Sequence, residues 1–375
     1  MFEIEKEKHI IATIRSPATH HNFIMEDASF RLPLVDFSSF ASLVDPSSAG
    51  GPTPEQQQTA EEIHAANRKH GFVCLRNSGI PKERAKLAFA ASQELFAAPA
   101  SEKANWKAID PSTNTGYVGC GAEALNRRRA ADLKEAFNVR ATSFIDSSKD
   151  LSGTPEFFQT VAPELWEDLN GLAQKYSVAC SWALGLEPSY FTKTLQTMDL
   201  CTMRWLHYPP CSPTDVTGET KFSEEGCAIR VGEHTDFGIF TFLFVHDWDD
   251  SSSLGLQIKK PPISGQEPFW ESIVMDKETL QILSQDATAP LIVNTGALLA
   301  RWTNDLWTAT PHRVVVAPEA QPFDRYSIAM FIDPDAQTVC SVHESFIAEG
   351  EEPKYPPITS IEYLLMKLRE AQGVK

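Results

Sequence analysis

The residues best suited to bind a metal ion stand at the head of one β-rich run, in the segment VGEHTDFGIFTFLF. His234 and Asp236 are two positions apart, so on a strand their side chains would project to the same face. An imidazole nitrogen and a carboxylate oxygen suit Fe(II) or Mn(II), whereas a structural zinc site favours thiolates. The spacing therefore predicts two ligands of one metal centre, with a third ligand elsewhere in the chain.

His312, in the segment ATPHRVVVA, is the candidate third ligand. It begins another β-run 76 residues after Asp236, where a neighbouring strand of a closed sheet could bring it beside the first pair. Two histidines and one carboxylate form a facial triad, which leaves the remaining metal positions for substrate, cosubstrate and dioxygen. The alternative is that these are ordinary packed or surface residues, since a His-x-Asp pair is common by chance.

A candidate carboxylate-binding pair follows thirteen residues after His312, in the segment DRYSIAMF. Arg325 and Ser327 share one face of a predicted strand, and their distance from His312 fits one hairpin. A guanidinium holds a carboxylate by two charge-assisted hydrogen bonds, and a hydroxyl adds a third donor. The pair would thus fix the far end of a dicarboxylate that chelates the metal. The alternative for Arg325 alone is a surface ion pair.

The elements that must position these residues change in character along the chain. Short strands are predicted at residues 32–37 and 72–77, with a Pro/Ser/Gly loop at 45–55. Helices are predicted at 56–70, ending before Gly71, and then over two longer segments with apolar residues at three- and four-residue spacing, 81–99 and 158–185.

Beyond residue 195 the pattern predicts short strands separated by turns: CTMRWLHY, GIFTFLFV, LGLQI, LIVNT, LLARW, HRVVVA and RYSIAMFI. No long helix is expected among them. Helices first and strands second favour a mainly β core with a helical cover over alternating βαβ units. A last helix is predicted at 358–371, where it could close over one end of the core.

Composition and charge exclude several classes of protein. The 33 Lys and Arg against 50 Asp and Glu give a net charge of −17, which would repel nucleic acid. No apolar run reaches eighteen residues and the N-terminus lacks a signal-peptide pattern, so neither a membrane span nor secretion is expected. Seven Cys without a C-x-x-C pair indicate a reducing compartment. We expect a cytoplasmic protein with a small-molecule partner, and the oligomeric state stays open.

Ordered motifs along nearly the whole chain resemble those of the iron(II)- and 2-oxoglutarate-dependent dioxygenases, in the isopenicillin N synthase-like family. HGFVCLRNSGIP resembles the family's GFF-x-x-x-NHGIP segment, and DLKEAFNV resembles its D-x-KE-x-F element. MRWLHYPP, EHTDFGIFTFL, VNTGALLARWTNDLWTATPHRVV and RYSIAMFIDP then follow in the family's order. The resemblance implies an α+β, mainly β chain with a distorted double-stranded β-helix, or jelly roll.

That fold implies a division of the chain into four parts. They are an N-terminal tail (1–30), a helical and strand region that supports the core (31–190), the double-stranded β-helix with the catalytic residues (191–340), and a C-terminal helical lid (341–375).

The resemblance also implies an iron-binding set and a 2-oxoglutarate-binding set of residues. The first consists of His234, Asp236 and His312, and the second of Arg325, Ser327 and Tyr208 of the HYPP segment. Two positions depart from the family's pattern. Leu206 stands where the family commonly has Asn, and Ala297 stands where it commonly has Asp.

Two further residues are predicted to face a substrate. Alternation along MRWLHY places Arg204 on the face of Tyr208, where it could contact an anionic or carbonyl-bearing substrate. Phe331 resembles a family position that stacks on aromatic substrates. Core packing is the alternative for Arg204, Phe331 and Tyr208 alike.

The implied activity is oxidation of a small molecule, by analogy a secondary metabolite, through hydroxylation, desaturation or rearrangement. Fe(II), 2-oxoglutarate and O2 are the implied cofactor and cosubstrates, with release of succinate and CO2. Three alternatives stay open: an oxidase of the same fold that needs no 2-oxoglutarate, a metal-free interaction module, and a zinc hydrolase. Succinate formed per substrate consumed separates the first alternative from the dioxygenase.

Overall fold

The computed structural model describes residues 29–41, 43, 51–106, 114–123, 132–145, 151–210, 228–246, 253–262, 267–316 and 323–372. No helix in this part of the chain combines the length and the apolar composition needed to cross a bilayer.

Two mostly antiparallel sheets form the core. The smaller sheet has the strand order β1 (Ser29–Arg31), β10 (Phe269–Val274), β9 (Ser253–Lys260), β12 (His312–Val316) and β7 (Ala228–His234). The larger sheet has the order β2 (Leu34–Asp36), β3 (Phe72–Arg76), β11 (Leu291–Thr295), β8 (Phe240–Val245), β13 (Arg325–Ile332), β6 (Thr202–Tyr208), β5 (Glu135–Arg140) and β4 (Gly116–Val118). A separate pair joins β14 (Val339–Cys340) and β15 (Ile358–Thr359).

Helices flank the sheets in the described part of the chain. In chain order they are α1 (Pro54–Lys69), α2 (Lys82–Ala97), α3 (Ala100–Lys103), α4 (Ala141–Ile145), α5 (Glu156–Ala183), α6 (Ser189–Thr192), α7 (Lys277–Gln285), α8 (Ala297–Trp302) and α9 (Ser360–Gln372). The 28-residue α5 buries its apolar stripe on the sheet, where the ring of Phe158 contacts Trp205 edge-on at 4.8 Å. Because side chains alternate along β6, Trp205 faces α5 while Arg204 and Tyr208 face the other sheet.

The predicted end of the first helix is confirmed. The Thr53 hydroxyl and the Gln56 side chain form a capping box at the start of α1. After α1 the chain turns at Gly71 with φ +67°, and a Cβ there would lie 2.2 Å from the carbonyl oxygen of Thr308. Glycine is required at this turn because no side chain would fit.

Several predicted elements differ from the structure. The predicted strand LLARW is wrong, because these residues belong to helix α8. Leu298, Leu299 and Trp302 lie on one side of this short helix, and all three are buried. The nine-residue α7 interrupts the β-rich region, and strands β7 and β10 were not predicted. Strand β1 begins at Ser29, within the last two residues of the predicted N-terminal tail.

The remaining organisational predictions have a mixed outcome. Strands at 34–36 and 72–76 and the helices that start at Lys82, Glu156 and Ser360 agree with expectation. Residues 45–50 of the predicted loop and residues 1–28 of the predicted tail lie outside the described part of the chain. The four-part division of the chain stays a prediction.

Candidate metal centre and active site

A cavity lies between the facing sheets. Its walls come from both sheets and combine apolar residues with a small number of polar ones, which is typical of small-molecule sites. The lining residues are Lys134, Arg204, Leu206, Tyr208, Val231, His234, Asp236, Thr241, Leu243, Leu256, Asn294, His312, Val314, Arg325, Ser327, Ala329 and Phe331.

His234, Asp236 and His312 converge inside this cavity, with one donor atom from each lying within 4.8 Å of the others. The Nε2 atoms of His234 and His312 are 3.7 and 3.8 Å from Oδ1 of Asp236. His234 and His312 are opposite each other on paired strands β7 and β12, as the prediction of a neighbouring strand requires. No other group of three or more His, Cys, Asp or Glu side chains in the described residues is arranged to hold a metal ion.

Asp236 is not positioned at the metal centre by strand alternation, contrary to the prediction from the sequence. Strand β7 ends at His234, and Asp236 lies in the turn before β8, so the two residues do not share a strand face. The turn is fixed by close backbone packing: Ala297 N donates to Asp236 O at 2.7 Å. A Cβ on Gly296 would lie 2.1 Å from the carbonyl oxygen of Gly238, so only glycine permits this contact.

Hydrogen bonds orient both imidazoles for metal binding. Nδ1 of His234 lies 2.9 Å from the carbonyl oxygen of Gly232, and Nδ1 of His312 lies 3.2 Å from that of Thr310. A carbonyl oxygen can only accept, so each Nδ1 carries the proton and each Nε2 keeps a free lone pair toward Asp236. Burial and the neighbouring His312 lower the pKa of His234 to about 4, which favours the neutral ring that a metal requires.

The carboxylate of Asp236 is oriented in the same way. Its Oδ2 accepts hydrogen bonds from the Thr241 hydroxyl at 2.6 Å and from the Asn294 amide at 2.7 Å, which leaves Oδ1 facing the two imidazoles. Burial by itself would raise the pKa of Asp236, but these two hydrogen bonds help to lower it below its ordinary value. The group is therefore ionised, and the donor set and its supporting bonds fit a divalent metal ion.

We expect Asn294→Leu to weaken metal binding about 10- to 100-fold, because the substitution keeps the side-chain volume but removes one bond that orients Asp236. Mn(II) affinity measured anaerobically by electron paramagnetic resonance checks this. Asn105→Leu, at an exposed position, is the matched control and should leave the affinity unchanged. Equal affinity in Asn294→Leu and the original chain would contradict the orienting role.

Arg325 lies at one end of the cavity with a donor available. Arg325 is half-buried. Its Nη2 donates to the carbonyl oxygen of Leu254 at 2.8 Å, and its buried Nη1 has no hydrogen-bond partner among the described residues. The guanidinium lies 4.8 Å from the centre of the Tyr208 ring and lines the cavity together with Ser327. Burial lowers the pKa of Arg325 from its ordinary value without neutralising a guanidinium. A cation with a buried free donor fits a carboxylate.

The hairpin that was predicted to join His312 to Arg325 is wrong. Strand β12 belongs to the smaller sheet and β13 to the larger one, and β13 pairs with β6 and β8. The two residues face each other across the cavity because the sheets are stacked. The predicted alternation along β13 agrees with the structure, since Arg325, Ser327 and Phe331 all line the cavity.

An ion-pair cluster forms the other end of the cavity, and we call Glu123, Asp132, Lys134 and Arg204 the polar wall. Oε2 of Glu123 accepts from Lys134 Nζ at 2.8 Å and also from Arg204 Nη2. Lys134 Nζ lies 3.3 Å from Asp132 as well. Burial would raise the pKa of Glu123, but Arg204 and Lys134 lower it to about 2, so the wall holds an ionised carboxylate.

We expect this cluster to make stability depend on pH below the ordinary pKa of a glutamate. Because the folded-state pKa of Glu123 is lowered from 4.5 to about 2, its contribution is full above pH 4.5 and is lost as pH falls toward 2. Glu123→Gln should lower the free energy of unfolding at pH 7 by about 2 kcal/mol, with a smaller difference at pH 3. Urea unfolding at both pH values checks this.

Glu187→Gln, in an exposed ion pair with Lys193, is the control and should leave stability nearly unchanged. A Glu123→Gln effect of the same size at pH 7 and pH 3 would contradict the electrostatic origin.

Sequence reasoning missed three polar residues that line the cavity, Lys134, Thr241 and Asn294, and it missed Glu123, which binds Arg204. Asn294 had a usable signal, because a lone amide inside the apolar strand LIVNT needs a buried partner. Thr241 is its cross-strand neighbour, a pairing that only the sheet register reveals.

Comparisons with known proteins place the chain in a family. Residues 32–164 match the family described as non-haem dioxygenase in morphine synthesis N-terminal, and residues 199–334 match the 2OG-Fe(II) oxygenase superfamily. A 2-oxoglutarate-Fe(II) type oxidoreductase, ppzD of Metarhizium rileyi, is 29% identical over 90% of this chain and 90% of its own length. Another, hxnY of Emericella nidulans, is 27% identical over 87% of this chain and 86% of its own.

Solved structures agree with this placement. The crystal structure of a full-length Neurospora crassa protein in complex with alpha-KG superposes with a TM-score of 0.70 at 27% identity, covering 92% of this chain and 97% of that chain. The same Neurospora crassa protein in complex with alpha-KG and thymine gives a TM-score of 0.69 at 25% identity, covering 93% and 98%.

The two family matches together span well over half of the chain, so this protein belongs to the Fe(II)- and 2-oxoglutarate-dependent oxygenases. It is an oxidoreductase of the dioxygenase type with a jelly-roll core, and its class uses Fe(II), 2-oxoglutarate and O2. The resemblance inferred from the motifs is confirmed. The predictions on nucleic acid, compartment and membrane surfaces stay predictions.

Proposed function

We propose that His234, Asp236 and His312 hold the Fe(II) ion and that Arg325, Ser327 and Tyr208 bind the distal carboxylate of 2-oxoglutarate. The single observation that carries this proposal is the convergence of three oriented donor atoms within 4.8 Å, in a cavity that also contains a guanidinium with a buried free donor. Iron and 2-oxoglutarate together would activate dioxygen, which supplies the oxidising power.

The protein's own residues position the reactants and exclude water. The two Nδ1–H groups and the two donors to Asp236 prevent these side chains from rotating, so the three donor atoms would stay directed at a bound Fe(II) ion. Arg325 offers the charge and Tyr208 the adjoining hydroxyl for a dicarboxylate. The surrounding leucine and valine side chains keep the dielectric low, which strengthens these contacts.

We propose a small organic molecule as the substrate, bound between the polar wall and Phe331. On β6, Arg204 is four residues from Tyr208 on the same face, a separation of about 13 Å at strand geometry. This leaves room for a second small ligand beside a bound dicarboxylate. The Neurospora crassa protein is described in complexes with thymine and 5-formyluracil, which supports a substrate of this size.

The test adds Fe(II) and 2-oxoglutarate to the protein under anaerobic conditions and records the visible spectrum. We expect a weak charge-transfer band that develops only with both present, and succinate formation on admission of O2. Absence of the band with correctly folded protein would overturn the joint binding of Fe(II) and 2-oxoglutarate at this site. Substrate consumption that needs Fe(II) and O2 but no 2-oxoglutarate, and that forms no succinate, would favour the 2-oxoglutarate-independent oxidase.

A further inference from the structure

The polar wall carries no surplus charge although it contains two cations. Lys134 and Arg204 are balanced by Glu123, which binds both of them, and by Asp132, which lies beside Lys134. The side chains of Lys134 and Asp132 are 4% and 5% exposed and that of Arg204 is 13% exposed, so solvent screens these charges poorly.

The wall nevertheless places two side chains that carry hydrogen-bond donors at the cavity. Nε of Arg204 is buried and has no hydrogen-bond partner among the described residues, and the side chains of Arg204 and Lys134 both line the cavity. A buried donor without an acceptor is costly, so a ligand oxygen placed here would be bound favourably.

The two observations together select the charge of the ligand. A carbonyl oxygen would satisfy a free donor and leave the local charge balance intact. A carboxylate would add one uncompensated negative charge to a buried group of residues whose cations are already paired, which is strongly unfavourable. Loading the site would not change this balance, because Fe(II) and the 2-oxoglutarate dianion carry equal and opposite charges.

Apolar contacts complete the same end of the cavity. Leu243 is opposite Ala329 across strands β8 and β13, and Phe331 follows two residues later on the cavity face of β13. These side chains would pack against the apolar ring of a substrate, while the polar wall would bind the carbonyl group of the same substrate.

We infer that this end of the cavity binds the carbonyl group of an uncharged substrate, such as an amide, a lactam or an imide, and discriminates against a carboxylate. The inference rests on the proposed function, because it takes the cavity to be the substrate site, and it adds the substrate class. Lys134 and Glu123 become specificity-determining residues together with Arg204.

The test compares isosteric amides and carboxylates, with three probe pairs: benzamide and benzoate, phenylacetamide and phenylacetate, and indole-3-acetamide and indole-3-acetate. Dissociation constants are measured at pH 7.5 by saturation-transfer NMR, on metal-free protein and on protein loaded anaerobically with Mn(II) and 2-oxoglutarate. For at least one pair, we expect the amide to bind tenfold or more tightly than the carboxylate in both forms. Equal or tighter carboxylate binding, or no amide binding at 20 mM, would overturn the inference.

Variants test the origin of the preference. Glu123→Gln removes the negative charge that the two cations share, so the preference should reverse toward carboxylates. Glu187→Gln makes the same change in an exposed ion pair and should keep the original preference. Arg204→Gln should weaken amide binding at least fivefold without improving carboxylate binding, and it carries the test if Glu123→Gln is too unstable to measure. An unchanged ratio in both wall variants would overturn the assignment.

Failure of this inference and failure of the proposed function are distinguishable. Amide preference is measured on metal-free protein, so it does not depend on iron or 2-oxoglutarate. A protein that prefers carboxylates but still shows the Fe(II)-dependent band would retain the proposed function with a different substrate class.

Discussion

His312→Ala is expected to abolish Fe(II) binding under conditions in which the original chain is saturated, with an affinity loss of more than about 100-fold. The substitution removes one of three ligands, and the nearest remaining donors are already committed to the metal. Iron-dependent succinate formation should disappear with it. Anaerobic Fe(II) titration followed by the visible band in the presence of 2-oxoglutarate measures the effect.

His343→Ala is the matched control. His343 is the N-cap residue of the short helical turn Glu344–Phe346 and does not line the cavity. It should bind iron like the original chain. Thermal unfolding of both variants without metal separates loss of a ligand from loss of the fold. Full iron affinity in His312→Ala would exclude the triad as the metal centre.

Arg325→Gln is expected to raise the KM for 2-oxoglutarate about 100-fold or more while leaving iron affinity within a few-fold. Two charge-assisted hydrogen bonds to a carboxylate contribute about 1.5–3 kcal/mol each, and both are lost with the guanidinium. Arg325→Lys keeps the charge but not the paired donors, so an intermediate KM is expected. Steady-state succinate formation gives KM, and Mn(II) binding without 2-oxoglutarate gives the metal affinity.

Arg31→Gln provides the control for this change, because the Arg31 side chain is 72% exposed and contacts the surface residue Asp276. Its KM should equal that of the original chain. If Arg325→Gln had an unchanged KM for 2-oxoglutarate, the carboxylate site would have to lie elsewhere. A large KM increase together with lost iron binding would point to collapse of the cavity instead.

The polar wall shows why some site residues are invisible to sequence patterns. Glu123 and Arg204 are 81 positions apart. Glu123 follows β4, and the two residues meet because β4, β5 and β6 are neighbours in the larger sheet. Arg204 was predicted to face the cavity because alternation along one strand is a local property. Its partner Glu123 was not, because a contact between distant segments depends on how the strands are ordered.

The metal ligands illustrate the same distinction. Residue chemistry and motif order were enough to predict His234, Asp236 and His312 as one set. The geometric argument used for His234 and Asp236 was wrong, because a strand ends between them and the turn that follows brings Asp236 back. The physical cause is the close approach of Gly238 and Gly296, a contact between segments almost sixty residues apart.

The sequence by itself therefore determined the local properties of this protein: the chemistry of the ligands, the strand alternation that aims Arg204, Tyr208 and Arg325 inward, and the caps that end its helices. The tertiary structure alone decided that β12 and β13 lie in facing sheets, that LLARW is a helix, and that Glu123 neutralises two cations. Strand alternation and helix capping depend on residues that are close together in the sequence, so local patterns predict them. Sheet order and charge pairing depend on which distant segments pack together, and local patterns do not encode that choice.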